Sequence, residues 1–220
     1  MNAALLLLAD SRFPTGAHAH SAGVEASHRR GHLDDVADLE AFLEGRLATT
    51  APTEAAFAAA SCAGLESSSA LDVELTARIP SPKLRAISRS LGRQMLRPAE
   101  RAWPSPHYRL VRQVHADGPL QPIALGIVAR CARLQPTEAA LCLLHQMVGS
   151  VTTAAVRLLG LDPFEVHALA ARFGSRLEQL ALIAGEQAVL PASELPSTNS
   201  LLADILAEHH ATWEVRLFAS

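Results

Sequence analysis

Apolar residues recur every three or four positions through most of this chain, the spacing that lines one face of an α-helix. N-cap side chains precede several of these runs: Asp34 or Asp35, Ser81-Pro82 and Asp162-Pro163, the last two with proline at the first helical position. No segment alternates apolar and polar residues over the length of a strand, and no Asn-Gly hairpin turn occurs. The pattern predicts an all-α protein, a single-domain helical bundle of about eight to ten helices over residues 1–220.

The ends of the helices are predicted from proline, glycine and capping residues. Pro98, Pro104 and Pro106 are expected to end the basic helix that Ser81 begins. His145 is expected to be buried and to satisfy a hydrogen bond in the core. The predicted helices cover residues 21–31, 34–47, 55–65, 71–78, 81–97, 119–134, 136–159, 162–184 and 199–211, and residues 109–115 are ambiguous.

The stretch from Leu8 to Glu25 is explained least by the need to fold. A short apolar run turns polar at Asp10-Ser11-Arg12, and Pro14 and Gly16 follow before a helical pattern restarts. Proline fixes its own φ and glycine allows backbone angles that other residues avoid, so a defined loop of about ten residues is expected. Ser21 is predicted to cap the next helix, with Glu25 in its first turns. The loop would hold Asp10, Ser11 and Glu25 either to cap helices or to present a surface to a partner.

Composition and cysteine usage restrict the class of protein. Of the 220 residues 49% are hydrophobic but only 4% aromatic, so the core must be built from Leu, Ala and Val, which favours packed helices. Three cysteines without a Cys-x-x-Cys pair suggest neither a disulfide framework nor a thiolate zinc site. The Leu5–Ala9 run is too short for a secretion signal, and no stretch approaches 18 uninterrupted apolar residues. We therefore expect a cytoplasmic protein that does not span a membrane.

Charge is distributed unevenly along the chain. Between Arg78 and Arg112 there are nine basic residues and one acid, a local charge of +8 within a chain whose net charge is −3. Such asymmetry suggests one face for an acidic partner. The arginines at 85, 89, 93, 97 and 101 recur every four residues, as a solvated helix face or a protein-binding surface would. Nucleic acid is disfavoured, because the pI is about 6.4 and no aromatics interleave with the cations.

No catalytic or metal constellation emerges from the motifs. Asp10, Ser11, His18 and His20 could supply a nucleophile and a base, but they lack the Gly-x-Ser-x-Gly context of a nucleophile elbow. The only lysine, Lys83, has no glycine-rich approach, so a Walker A site is excluded. We predict no catalytic residue and no tightly bound metal. The pairs His18/His20 and His209/His210 are interpreted as solvated, with a weak surface nickel or zinc contact as the alternative.

Several of these motifs resemble the UreF family of urease accessory proteins. The likeness begins with Ala9-Asp10-Ser11, Pro14, Gly16 and Ser21-Ala22-Gly23-Val24-Glu25, and Ala17-His18-Ala19-His20 replaces the aromatic that many members carry, as in actinobacterial members. Further points are Ser88-Arg89 with Gly92-Arg93, Ala155-Val156-Arg157-Leu158, and the ending His210 with Arg216-Leu217-Phe218-Ala219-Ser220. The chain departs from the family at Leu159-Gly160-Leu161-Asp162, where the family has Pro-Leu-Gly-Gln.

The resemblance implies a non-catalytic scaffold for urease maturation. Its partners would be UreD (also called UreH), the GTPase UreG and apo-urease, and it would act as a homodimer, with nickel handled by the complex. The tail 213–220 would dock on UreD through Arg216, Leu217, Phe218 and Ser220, although docking on its own domain is an alternative. The loop 8–25 and Ser88, Arg89, Gly92 and Arg93 would be interface candidates, and Arg157 a dimer or core residue.

Two alternative functions accompany the scaffold. One is a regulator that activates UreG with an arginine from the 85–101 helix, as arginine fingers do in GTPase activation. The other is a metallochaperone whose histidines bind nickel directly.

Overall fold

The computed structural model describes residues 3–16 and 20–213, and all regular structure in these ranges is helical. This confirms the all-α prediction, although the described residues form twelve α-helices rather than eight to ten. They are α1 (Ala3–Ala9), α2 (Val24–His28), α3 (Val36–Ala48), α4 (Thr50–Ala63), α5 (Ser68–Ala77), α6 (Pro82–Ala102), α7 (His107–Val114), α8 (Gln121–Cys131), α9 (Pro136–Leu159), α10 (Pro163–Arg172), α11 (Gly174–Gln187) and α12 (Leu201–Ala211), with a 3-10 helix at Ala192–Glu194.

Helix α4 is the centre of the bundle. Almost every side chain from Ala55 to Cys62 is buried, and the helix packs against α3, α8, α9 and α11. Small side chains permit these close approaches. A Cβ at Gly126 of α8 would overlap the carbonyl oxygen of Ala58, so the two helices approach closely at this glycine. The alanine-rich segment is therefore the core element around which the other helices are arranged.

Helix α9 is the one described helix that is long and apolar enough to cross a membrane. Its most apolar stretch is 61% buried inside the protein, where α9 contacts α4, α8 and α11. Packing accounts for its composition. His145 lies on the exposed side of α9, so the prediction that it is buried is wrong. The buried stripe of this helix passes through Leu144, Val148 and Val151, and His145 is turned about 100° from Leu144.

The predicted helix starts at Asp35, Ser81 and Asp162 are confirmed. Their side chains accept backbone N–H hydrogen bonds from Asp38 (2.9 Å), Leu84 (3.1 Å) and Phe164 (2.8 Å), respectively. Each bond satisfies a donor that has no partner within its helix.

The predicted start at Ser21 is wrong. Helix α2 begins only at Val24, after Ala22 and Gly23 have both adopted positive φ, of 52° and 89°. Ser21 is fully buried, and its carbonyl oxygen, not its hydroxyl, accepts the Val24 N–H at 3.1 Å.

Three predicted helix boundaries are also wrong, two because of packing and one because a proline falls in the first turn of its helix. Helix α6 continues through Pro98 to Ala102, held by the buried Met95, Leu96 and Ala99 on either side of the proline. Helix α4 starts at Thr50 because Pro52 falls in its first turn, where the missing N–H has no helical acceptor to lose. The predicted helix 162–184 breaks at the buried Phe173, so that α10 packs against α3 and α11 against α4.

Candidate functional site

The loop that leaves α1 is built by its own hydrogen bonds. The carboxylate of Asp10 accepts from the backbone N–H of Arg12 (2.8 Å) and from its guanidinium (2.6 Å). These bonds to Arg12 lower the pKa of Asp10 to about 2. The chain then turns at Pro14, where the Thr15 N–H reaches the Phe13 carbonyl at 2.7 Å. Asp10 therefore closes the turn locally rather than capping a neighbouring helix, and Ser11 and Pro14 are exposed.

The loop and the basic helix α6 lie against each other. The ring of Phe13 packs on Trp103 just after α6, with 5.7 Å between the ring centroids. Gly16, at φ 80°, lies so close to the Gln94 side chain that a Cβ would overlap its amide oxygen. The structure thus brings together two predicted segments that are about 80 residues apart in the chain.

The second half of the loop is held by Arg46 on α3, a residue that the sequence analysis did not single out. Its guanidinium donates to the Ala22 carbonyl at 2.7 Å, in the turn that requires positive φ at a non-glycine residue. Such a conformation persists only where surrounding contacts impose it. Periodicity and capping signals do not identify Arg46, because its contact joins positions 24 residues apart in the chain.

The carboxylate of Glu25 is paired with the end of α12. Its Oε2 lies 3.1 Å from His210 Nε2, and both side chains are only 2% exposed. The interpretation of His210 as solvated is therefore wrong. Trp213 packs edge-on against His210 (4.8 Å between centroids), and the Arg29 guanidinium lies 4.5 Å from the Trp213 ring. We call Glu25, Arg29, His210 and Trp213 the C-terminal joint.

The motif Ser88-Arg89 with Gly92-Arg93 contacts the segment 117–121, which precedes α8. The Arg89 guanidinium donates to the Gly118 carbonyl (2.9 Å) and to the Asp72 carboxylate on α5 (2.7 Å). Asp72 is 8% exposed and also accepts the Leu120 N–H at 2.8 Å. Arg89 therefore neutralises a buried carboxylate that itself holds the segment.

The other three residues of this motif contact the same segment. Ser88 Oγ accepts the Gln121 N–H (2.9 Å) at the start of α8, and Arg93 donates to the Asp117 carbonyl at 2.7 Å. A Cβ at Gly92 would overlap the Pro119 carbonyl oxygen. We call Ser88, Arg89, Gly92 and Arg93, with the segment 117–121, the α6 clasp.

Five of the nine cations between Arg78 and Arg112 bind the chain itself. Arg78 donates to the carbonyls of Ala192, Ser193, Leu195 and Pro196, Arg85 to those of Ile79 and Pro80, and Arg112 pairs with Glu100, in addition to Arg89 and Arg93. Within the described ranges, Arg97, Arg101 and Arg109 are exposed and form no ion pair. The part of the basic surface available to a partner is therefore smaller than the sequence suggests.

A cavity of about 480 Å³ lies between the loop, α3, α6 and α12. Arg46 and Glu54 line this cavity, and both are half-buried. Burial lowers the pKa of Arg46 and raises the pKa of Glu54, and each charge partly offsets the effect on the other. His20 also lines the cavity, and burial, with Lys83 nearby, lowers its pKa.

The remaining predicted residues divide into three cases. Arg157 is exposed in the last turn of α9, so a core role is wrong and a dimer role stays a prediction. In residues 3–16 and 20–213 no three His, Cys, Asp or Glu side chains converge as metal ligands would. Arg216, Leu217, Phe218 and Ser220, together with His18, lie outside the described residues.

The fold and these contacts define an all-helical protein in which α2 and the end of α12 meet at the C-terminal joint. The UreF family model matches residues 33–174. Urease accessory proteins UreF from Mycobacterium sp. (strain JLS) and from Mycolicibacterium vanbaalenii are each 38% identical to this chain, over 98% and 99% of it and 97% and 98% of their own lengths. The UreF of Mycobacterium marinum is 38% identical over 99% of the chain. The chain belongs to the UreF family of urease accessory proteins.

Proposed function

We propose that this protein is a scaffold for urease maturation that binds UreD through its C-terminal segment, recruits the GTPase UreG and helps deliver nickel to apo-urease. It acts in the cytoplasm as a homodimer, holds no nickel tightly itself and performs no catalysis. The observation that carries the proposal is the identity of 37–38% with urease accessory proteins UreF along nearly the whole chain. Relatives named accessory proteins fit a non-catalytic role.

The geometry of the chain ends supports this function. The C-terminal joint fixes the chain at Trp213, directly before the Arg216-Leu217-Phe218 motif, beside helix α2. Two large apolar side chains and an arginine within three positions are typical anchors of a protein interface. The exposed Ser11 and Pro14 of the N-terminal loop offer a second candidate surface.

The contacts of α6 reduce the number of arginines that could act as an arginine finger. Arg85, Arg89 and Arg93 donate to backbone carbonyls of this chain, which leaves Arg97 and Arg101 as the exposed candidates in residues 85–101. An arginine finger contributes about 10³-fold or more to GTP hydrolysis. Loss of that factor in UreG turnover on substitution of Arg97 or Arg101, with binding intact, would favour the activator over the scaffold.

Co-purification tests the scaffold directly. Tagged full-length protein and a variant that lacks residues 216–220 are each produced with UreD and UreG, with and without GTP. We expect the full-length protein to retain both partners and the folded, helical truncation to lose UreD and therefore UreG. Interface anchors often cost at least about 2 kcal/mol, roughly thirtyfold in affinity. Recovery of neither partner by the full-length protein, or unchanged UreD retention by the truncation, would contradict the proposal.

A further inference from the structure

Helix α12 is fastened to the rest of the protein at two places. In its first turn Asp204 Oδ1 accepts the Ser81 N–H at 3.0 Å, and one turn later Glu208 accepts the Lys83 N–H at 2.9 Å. Near its end, His210 meets Glu25 inside the protein. The first attachment fixes α12 on α6, and the second fixes its last turn on α2, directly before the chain continues into residues 214–220.

Trp213 extends the second attachment to the point where the C-terminal segment begins. Its ring is edge-on to His210, and the Arg29 guanidinium lies over its face within the range of a cation–π interaction. Arg29 also reaches Glu25, with Nη2 3.4 Å from Oε1. The carboxylate therefore orients both groups that hold Trp213, the imidazole through Oε2 and the guanidinium through Oε1.

We infer that Glu25, Arg29 and His210 are positioning residues that set the direction in which the C-terminal segment leaves the domain, and that they thereby control its docking on a partner. This inference rests on the proposed function, in which that segment binds UreD. In this inference Glu25, the acidic residue of the N-terminal motif, affects partner binding through its contact with His210 on α12, which lies 185 positions further along the chain. A segment whose start is fixed loses less conformational entropy on docking than one that must be ordered at that moment.

Matched substitutions at the two attachments separate positioning from stability. Glu25→Gln and His210→Gln weaken the joint, whereas Asp204→Asn weakens the attachment to α6. Arg29→Ala releases Trp213 and removes one contact to the Glu25 carboxylate, but it leaves the contact between Glu25 and His210 in place. It serves if either joint variant fails to fold. We expect the joint variants to bind UreD about tenfold more weakly, as the release of two or three ordered side chains would produce. Asp204→Asn should lower the melting temperature but change the affinity for UreD less than about twofold, well below the tenfold loss expected of the joint variants.

A cycle with the truncated protein gives the decisive comparison. If Glu25 acts through the C-terminal segment, Glu25→Gln should have no further effect on residual UreD affinity once residues 216–220 are deleted. In a Trp103→Phe background, Trp213 is the only tryptophan, and His210→Gln should increase its quenching by iodide.

Three results would overturn the inference. The first is that folded Glu25→Gln and His210→Gln bind UreD as tightly as the wild type. The second is that Asp204→Asn loses as much UreD affinity as the joint variants. The third is that His210→Gln leaves the iodide quenching of Trp213 unchanged. In each case the proposed function stands, provided that the wild type retains UreD. A wild type that does not retain UreD would instead overturn the proposed function, and the docking role of the joint with it.

Discussion

The α6 clasp and the C-terminal joint both include residues that carry the UreF resemblance, yet their surroundings differ. Every residue of the clasp contacts one internal segment, and Arg89 is 25% exposed while it neutralises Asp72. The joint also contains a buried pair, but it ends at Trp213, beneath Arg29, whose side chain is 38% exposed. Residues of the shared motifs are therefore enclosed within the fold in one place and lie beside an exposed side chain in another.

The largest effect is expected when Arg89 is removed from the clasp. Arg89→Ala leaves the Asp72 carboxylate, which is 8% exposed, without its cation, and we expect a loss of about 3 kcal/mol in the free energy of unfolding. Urea denaturation measures this loss. Arg97→Ala, an exposed arginine on the same helix, should change stability by less than about 0.5 kcal/mol. Equal effects of the two substitutions would show that the clasp does not stabilise the fold.

A somewhat smaller loss is expected from Gly92→Ala. The new Cβ would overlap the Pro119 carbonyl, and the backbone of the clasp would have to shift, at a cost of about 2 kcal/mol. Gly149 in α9 is the matched control, because nothing lies within 4 Å of its Cβ position. Gly149→Ala should instead stabilise the protein by about 0.5–1 kcal/mol through helix propensity. A stabilising Gly92→Ala would contradict the close approach described here.

These clasp contacts show where sequence reasoning succeeds and where it stops. Local chemistry identified the starts at Ser81 and Asp162, because an N-cap bond spans only a few residues. The break at Phe173 and the continuation through Pro98 could not be predicted, since each depends on how distant helices pack. The resemblance identified Ser88, Arg89, Gly92 and Arg93 but not their common target, which lies 24 to 33 residues further along the chain.

The joint shows the same limit more clearly. Glu25 and His210 were each noted from motifs, but their pairing spans 185 positions, and no periodicity can indicate it. Arg46 was missed because a lone arginine on an amphipathic helix is usually solvated. The one feature that could have directed attention to it is the Ala22-Gly23 turn, whose carbonyl needs a donor.

His115 lies beside the clasp, with its Nδ1 4.0 Å from the Asp72 carboxylate, and should make stability depend on pH. Burial lowers the pKa of His115, with the Arg89 charge acting in the same direction and Asp72 opposing both. His115 therefore stays neutral in the folded protein while the unfolded chain binds a proton, so stability falls as pH drops below about 6.5. His115→Gln should lose less stability between pH 7.5 and 5.5 than the wild type, as measured by urea denaturation. His145→Gln, on the exposed face of α9, is the control and should follow the wild type.

The smallest effect on stability is expected at Asp10, whose loop is linked to the C-terminal joint only by the sequence between them. NMR titration should place the Asp10 pKa at about 2, and Arg12→Ala should raise it towards the ordinary value of 3.8. Asp10→Ala should alter the melting temperature little, because the carboxylate serves an exposed turn. If that variant nevertheless loses UreD or UreG, the loop presents a surface to a partner; retention of both would limit it to local structure.

Hydrogen–deuterium exchange of the free protein and of its UreD complex tests the division between the two regions most directly. We expect backbone amides in α2 and in the last turn of α12 to exchange more slowly in the complex. Amides of residues 117–121 should exchange at the same rate in both, because the clasp is already formed in the free protein. Slower exchange at 117–121 and along α6, with no change in α2 and α12, would contradict this expectation.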